Sequence, residues 1–266
     1  MIVIIYQPTM KLTIEDSKKA AKFDVLFGNL SGLTDLVNIY IEDEGLHMQG
    51  MDSSHICLFD AKLTEEWFTT YERDSDDQEI VSVPSRIFQK VLSTYKPDQN
   101  IVITIEGNNC KLQMDFIGGE KTCDKYFELP LIEEGSDLMN IPDDDSEIDM
   151  IITSKKLTDL VSQFEIFDQV LTFDMSEEKV LMNASGDDGS MTAKLSLEDS
   201  QLIDYAVVEG LNLKVSFALR YIKLMTAFNK LSEEVKLELS SDKPLFMSYD
   251  IGDESYLKLA LAPKIE

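Results

Sequence analysis

Histidine occurs twice and cysteine three times in the 266 residues, as His47, His55, Cys57, Cys110 and Cys123. So few soft ligands make no zinc signature. An odd cysteine count without a CxxC predicts reduced thiols inside a cell rather than a disulfide framework. The apolar stretch MIVIIY breaks at Gln7 and Pro8, too short for a signal core, and a membrane span is not expected. A GxxxxGK[ST] run is missing, so ATP hydrolysis would fall to another protein. Adjacent acids such as Asp143 to Asp145, or Asp187 and Asp188, lack metal-ligand spacing and read as solvated turns. No catalytic residue, metal ligand or cofactor is therefore assigned. Cations are scarce as well: 24 Lys+Arg stand against 50 Asp+Glu, a net charge of -26. Spread evenly, that charge would exclude nucleic acid, whose phosphates need a cationic surface.

The chain has what it needs for a large core, with 44% hydrophobic residues, and its length accommodates one domain or two. The stretch LMNIPDDDSEIDM (138 to 150) combines a proline with an acidic run and reads as a linker near the midpoint. The flanking halves are related. A helical pattern leads into VNIYIEDEGLHMQ in the first and another into QVLTFDMSEEKVLMN in the second. SVPSRIFQKVLSTYKPDQNIVITIEG likewise matches KVSFALRYIKLMTAFNKLSEEVKLELSS. Ile39 and Leu171 are 132 positions apart, as are Val83 and Val215, an internal duplication. Helical spacing marks Phe23, Leu26, Phe27, Leu30 and Leu33; Ile87, Val91, Leu92 and Tyr95; Leu157, Leu160, Val161 and Phe164; and Leu219, Ile222, Leu224, Met225 and Phe228. Pro84 suits a helix start, and Ser154 is expected to cap the third helix. Alternating runs such as IVITI, CKLQMDF, VKLELS and YLKLAL read as strands. The fold class is α+β.

Charge is segregated between these elements. Over provisional helical spans 17–36, 84–95, 154–167 and 217–230 there are ten Lys+Arg and four Asp+Glu, a net +6 that leaves -32 for the remainder. Lys18 and Lys22 are four apart, as are Arg86 and Lys90; Lys155 stands in the first turn of the third span; Arg220, Lys223 and Lys230 lie opposite an apolar stripe. Solvated outer faces would explain the pattern equally well. Four basic helices in so acidic a chain instead suggest a shared cationic surface that holds a phosphate backbone without reading bases.

MQGMDSSHICLFD (48 to 60) places two serines and a histidine in an apolar run. Adjacency in sequence does not make a nucleophile and its base, and a turn capped by Asp52 and Ser53, leading into a strand over 56–59, accounts for it. With ASGDDGSMTAKL (184 to 195), FALRYI (217 to 222) and LAPKIE (261 to 266), the stretch MDSSHICL resembles the proliferating cell nuclear antigen family, the ring-shaped sliding clamps of replication. The resemblance runs from about residue 17 to the end, in order and spacing.

That resemblance implies a DNA-clamp fold: an N-terminal extension over 1–9, similar domains over 10–129 and 149–266, and an interdomain connector over 130–148. Three subunits would close a ring, helices lining the hole and antiparallel sheets outside. It implies a processivity factor that encircles duplex DNA without sequence preference, tethers DNA polymerase and other replication and repair proteins through short peptides, and needs an ATP-dependent loader. The place would be intracellular, at replication sites, and nuclear in a eukaryotic host. Met51, His55, Ile56 and Leu58 match the wall of the partner pocket, Met139, Ile141 and Pro142 the connector, Pro244 a neighbouring loop, and Leu261, Ala262 and Pro263 the C-terminal segment. Leu112, Met114 and Phe116, with Val180 and Met182, match the two sides of the subunit contact. The chain departs from the family at Ala260, where an aromatic is common. It departs also at Asp159, Ser162 and Ile166, in a helix where the family is rich in cations and this chain keeps only Lys155 and Lys156 at the start, and at Met175 to Glu178, where eukaryotic members carry a modifiable lysine and Lys179 is nearest. Alternatives are a subunit of a heterotrimeric checkpoint clamp, a monomeric processivity factor of the same fold, and, outside the class, an acidic interaction scaffold without DNA function.

Overall fold

Alternation of apolar and polar residues builds most of this chain, and the helical stripes close over the sheets so formed. The computed structural model describes residues 8–74, 79–106, 111–132, 138–141, 145–196, 198, 200 and 202–264. Most of the expected N-terminal extension lies outside the described residues. The first half runs β1 (Pro8–Ile14), α1 (Ser17–Leu30), β2 (Leu36–Glu42), β3 (Gly45–Met51), β4 (Cys57–Thr64), β5 (Thr70–Arg73), β6 (Glu79–Pro84), α2 (Ser85–Leu92), β7 (Asn100–Glu106), β8 (Lys111–Ile117) and β9 (Lys125–Pro130). The second repeats it: β10 (Ile148–Thr153), α3 (Ser154–Phe164), β11 (Val170–Ser176), β12 (Lys179–Gly186), β13 (Gly189–Leu195), β14 (Leu202–Val207), β15 (Asn212–Ala218), α4 (Leu219–Thr226), β16 (Glu234–Leu239), β17 (Leu245–Gly252) and β18 (Ser255–Leu261). The architecture is α+β, mostly antiparallel sheet with few helices.

The chain divides into two compact units. The first takes residues 1–50, 60–139 and 251–256, and the second takes 51–59, 140–250 and 257–266. In the first unit one sheet has the order β5-β1-β7-β8-β9, and the remaining strands follow the order β4-β3-β2-β6. The second unit repeats both orders, as β14-β10-β16-β17-β18 and β13-β12-β11-β15. The duplication seen in the sequence is therefore a duplication of strand order, strand by strand.

Each core sits where the helices cover a sheet. Asp16 caps α1, its Oδ1 accepting from the Lys18 N–H at 2.7 Å and satisfying an otherwise orphaned donor. Phe23, Leu26, Phe27 and Leu30 of α1 are buried, and Phe27 meets Phe88 of α2 with ring centroids 4.5 Å apart. In the second unit Leu157, Leu160, Val161 and Phe164 of α3 are buried, and Ile222 and Met225 fill the same role on α4. Each such side chain contributes roughly 1.5–3 kcal/mol of burial.

The expected helices overshoot at their ends. Residues 217–218 finish β15 rather than begin α4, and 227–230 form a turn, which puts Lys230 outside the helix. Thr153, not Ser154, occupies the cap position of α3, and Ser154 is the first helical residue. Ile87 lies 39% exposed on α2 instead of joining the apolar stripe.

Candidate functional site

A single buried carboxylate organises the turn between β3 and β4. Asp52 Oδ1 accepts from the backbone N–H of Ile56 at 2.7 Å and of Cys57 at 2.8 Å. Its Oδ2 accepts from the Ser54 N–H at 2.9 Å and from the Tyr221 hydroxyl at 2.8 Å. Burial pushes the Asp52 carboxyl up, but the three backbone donors and the tyrosine outweigh it and hold the acid below the usual carboxylate range. The same wrapping forces His55 to φ 55° at the exposed tip. The Asp52 turn expected from sequence is thus present, and its carboxylate is committed to the loop. Cys57, fully buried and beside Asp52, has its thiol pushed up to about 12, first by burial and then by the carboxylate charge. It is an inert core thiol.

Around this turn the second unit forms a pocket of about 430 Å³, lined in part by Ile56, Glu165, Gln169, Ala218, Arg220 and Lys264. The C-terminal segment is fixed along it. The Ala262 N–H donates to the Ile56 carbonyl at 3.1 Å and the Lys264 N–H to the Ser216 carbonyl at 2.8 Å. The Arg220 guanidinium lies over the Tyr221 ring, 4.6 Å from its centroid, and donates to its hydroxyl at 3.1 Å.

Of the residues expected to hold partners, Met51, Ile56, Leu58, Ile141, Pro244 and Pro263 are half-buried, and His55 and Ala262 are exposed. These belong to the second unit. Met139, in the first unit, is 38% exposed. Pro142 lies outside the described residues. Leu261 requires correction: it is fully buried, because the inward face of β18 carries residues 255, 257, 259 and 261, and Ala260 is the residue turned outward.

The expected cations lie on or beside the helices, mostly exposed. Lys18 and Lys90 are exposed, as is Lys230 in the turn after α4. Lys22 donates to the Ile251 carbonyl at 2.7 Å, and Arg86 stands 3.5 Å from Asp35. Lys155 pairs with Asp159 at 2.6 Å and Lys223 with Glu165 at 2.8 Å, so α3 and the residue after it supply acids that offset the second unit's cations.

The expected subunit-contact residues also need correction. Leu112, Met114, Phe116, Val180 and Met182 are all buried inside their own unit, and β8 and β12 already have neighbours on both sides. Among the described strands, the free edges at those ends of the two sheets belong to β9 and β13.

Sequence reasoning missed a polar cluster in the first unit. Asp60, buried on β4, accepts from His47 Nε2 at 2.7 Å, Gln49 Nε2 at 3.1 Å and the Tyr256 hydroxyl at 3.0 Å. Burial raises its pKa, and the His47 contact with the two other donors overrides that and sets it below the usual range. Gln49 in turn holds Met139: its Oε1 accepts from the Met139 N–H at 2.6 Å and its Nε2 donates to the Met139 carbonyl at 3.0 Å. His47, Gln49 and Asp60 alternate with the core residues Leu46, Met48, Phe59 and Ala61, so by parity they read as an outward polar face and gave no local signal.

Comparison with known proteins bears on this arrangement. A family model described as Rad9 matches residues 23–263. The chain is 29% identical to the DNA polymerase sliding clamp of Thermococcus onnurineus, over 93% of this chain and 96% of that one. It is 30% identical to the DNA polymerase sliding clamp of Thermococcus sibiricus, with the same coverage. Proliferating cell nuclear antigen 2 of Drosophila melanogaster is 29% identical over 84% of this chain and 86% of its own.

Proposed function

Because the chain belongs to the Rad9/PCNA family of sliding clamps, we propose that three copies of it close a ring around duplex DNA. Its role is that of a sliding clamp in replication, with DNA and DNA polymerase as its partners.

The observation that carries the ring is the duplicated strand order. That order leaves β9 at the end of one sheet and β13 at the end of another, each without a further neighbour among the described strands, so β9 of one subunit has the partner it needs in β13 of the next. Repeating that contact in one direction gives a head-to-tail assembly, which removes every exposed edge of this kind when it closes.

The domains are read as 10–129 and 149–266 joined by a connector over 130–148. The cations Lys18, Lys22, Arg86, Lys90, Lys155, Arg220, Lys223 and Lys230 face the phosphates without reading bases. Short apolar and aromatic partner peptides bind at Met51, His55, Ile56 and Leu58 with the connector and Ala262–Pro263. Loading falls to a separate ATP-dependent protein, and the clamp itself catalyses nothing. It works inside the cell at replication sites, in the nucleus of a eukaryotic host.

The deciding experiment is light scattering of the purified chain over a dilution series. A mass three times the 30.2 kDa of the chain is expected. A second reading within the same family is a subunit of a heterotrimeric checkpoint clamp. A monomer at every concentration overturns the homotrimer and leaves that reading or a monomeric processivity factor.

A further inference from the structure

We propose that Gln49 is a positioning residue for partner binding: its carboxamide, oriented by Asp60, fixes the connector backbone at Met139 so that the side chain there is presented to a partner peptide. The inference rests on the reading of the connector as part of the partner site.

The hydrogen-bond inventory sets the orientation. An ionised carboxylate only accepts. Asp60 is surrounded by three donors, from His47 on β3, Gln49 on β3 and Tyr256 on β18, and its depressed pKa fits a group kept ionised. Gln49 must therefore turn its NH₂ toward Asp60, which leaves Oε1 facing the other way, onto the Met139 N–H. A flipped carboxamide would set its NH₂ against that N–H, donor against donor, and would face Asp60 with an oxygen. Only one of the two orientations satisfies both neighbours.

The consequence at the connector is specific. Met139 belongs to no strand, yet both its backbone groups are bonded by one side chain that is itself only 4% exposed. Its own side chain stays 38% exposed. The backbone is held while the thioether remains available, and an anchored backbone lowers the ordering cost of binding. Asp60 acts one step back, through Gln49.

The test uses the full chain with Gln49→Leu, Asp60→Leu and Asp60→Asn. A fluorescently labelled peptide bearing an apolar and aromatic plug reports affinity by anisotropy, and hydrogen exchange reports the Met139 amide. Gln49→Leu and Asp60→Leu are expected to weaken the peptide about tenfold and to speed exchange at Met139, with the β7 amides unchanged as a check of folding. Asp60→Asn keeps an acceptor for Gln49 and should stay within about twofold in affinity. Affinity of Gln49→Leu within twofold of the unsubstituted chain, or unchanged exchange at Met139, overturns the inference alone. A peptide that fails to bind the unsubstituted chain overturns the partner reading first, and the inference with it.

Discussion

Replacing Asp52 with alanine isolates what one carboxylate does for the loop between β3 and β4. Four donors lose their acceptor. The Ser54 N–H is at the exposed part of the turn and the Ile56 N–H is half-buried, so water replaces Asp52 there at small cost. The Cys57 N–H and the Tyr221 hydroxyl belong to residues 0% and 5% exposed, and each buried group left without a partner costs about 1–3 kcal/mol. The expected loss is about 3 kcal/mol, a fall in melting temperature of roughly 10 °C for a protein of this size. Asp52→Asn retains an oxygen for Ile56 and Cys57 but turns an NH₂ toward the Ser54 N–H, and should cost about 1 kcal/mol. Tyr221→Phe removes one charge-assisted bond while three backbone donors still hold the carboxylate, and should fall at about 1–2 kcal/mol. Thermal unfolding at one fixed protein concentration, with urea titration of the same variants, gives the order. An Asp52→Ala melting point within about 2 °C of the parent would refute the reasoning, since it would mean that the loop does not depend on this acceptor.

Met51→Ala and Ile141→Ala should each weaken a plug-bearing partner peptide by roughly 1–3 kcal/mol in a calorimetric titration, and unchanged affinity would remove them from the pocket. Arg220→Ala should lower retention on circular DNA more than Lys223→Ala, because Lys223 already shares its charge with Glu165 at 2.8 Å. Equal effects would show that the Glu165 pair does not matter. Acid should destabilise the fold through Asp52 and Asp60. Both folded-state pKa values are depressed, so their contribution is full above the unfolded value of about 4 and is lost as pH falls through it toward the folded value. Urea midpoints should drop steeply below about pH 4, and less steeply in Asp52→Asn and Asp60→Asn.

Periodicity made the duplication and the four helices legible, because apolar spacing is what the sheets and helix stripes require. It was less exact at helix ends. The span to residue 36 ran past Leu30, where a turn through Gly32 precedes β2. Leu112, Met114 and Phe116 show a different limit. Their alternation with Lys111, Gln113 and Asp115 already marks an inward face, and family position alone had set them at a subunit contact. Leu261 follows the same parity on β18. Asp60 and Gln49 were not legible, since a buried polar cluster is specified by neighbours 11, 90 and 196 positions apart in sequence, and no local pattern announces it.

The return of residues 251–256 to the first unit has a consequence for how the protein is made. Residues 251–256 belong to the first unit, where the Ile251 carbonyl receives Lys22 from 229 positions earlier and Tyr256 reaches Asp60. A ribosome that has finished the connector has therefore not yet supplied the first unit with all its parts. Cutting the gene at the connector would likewise strand 251–256 with the wrong fragment and 51–59 with the other. Non-local closure of this kind slows folding, and here it postpones completion of the unit begun first until residues 251–256 have been synthesised.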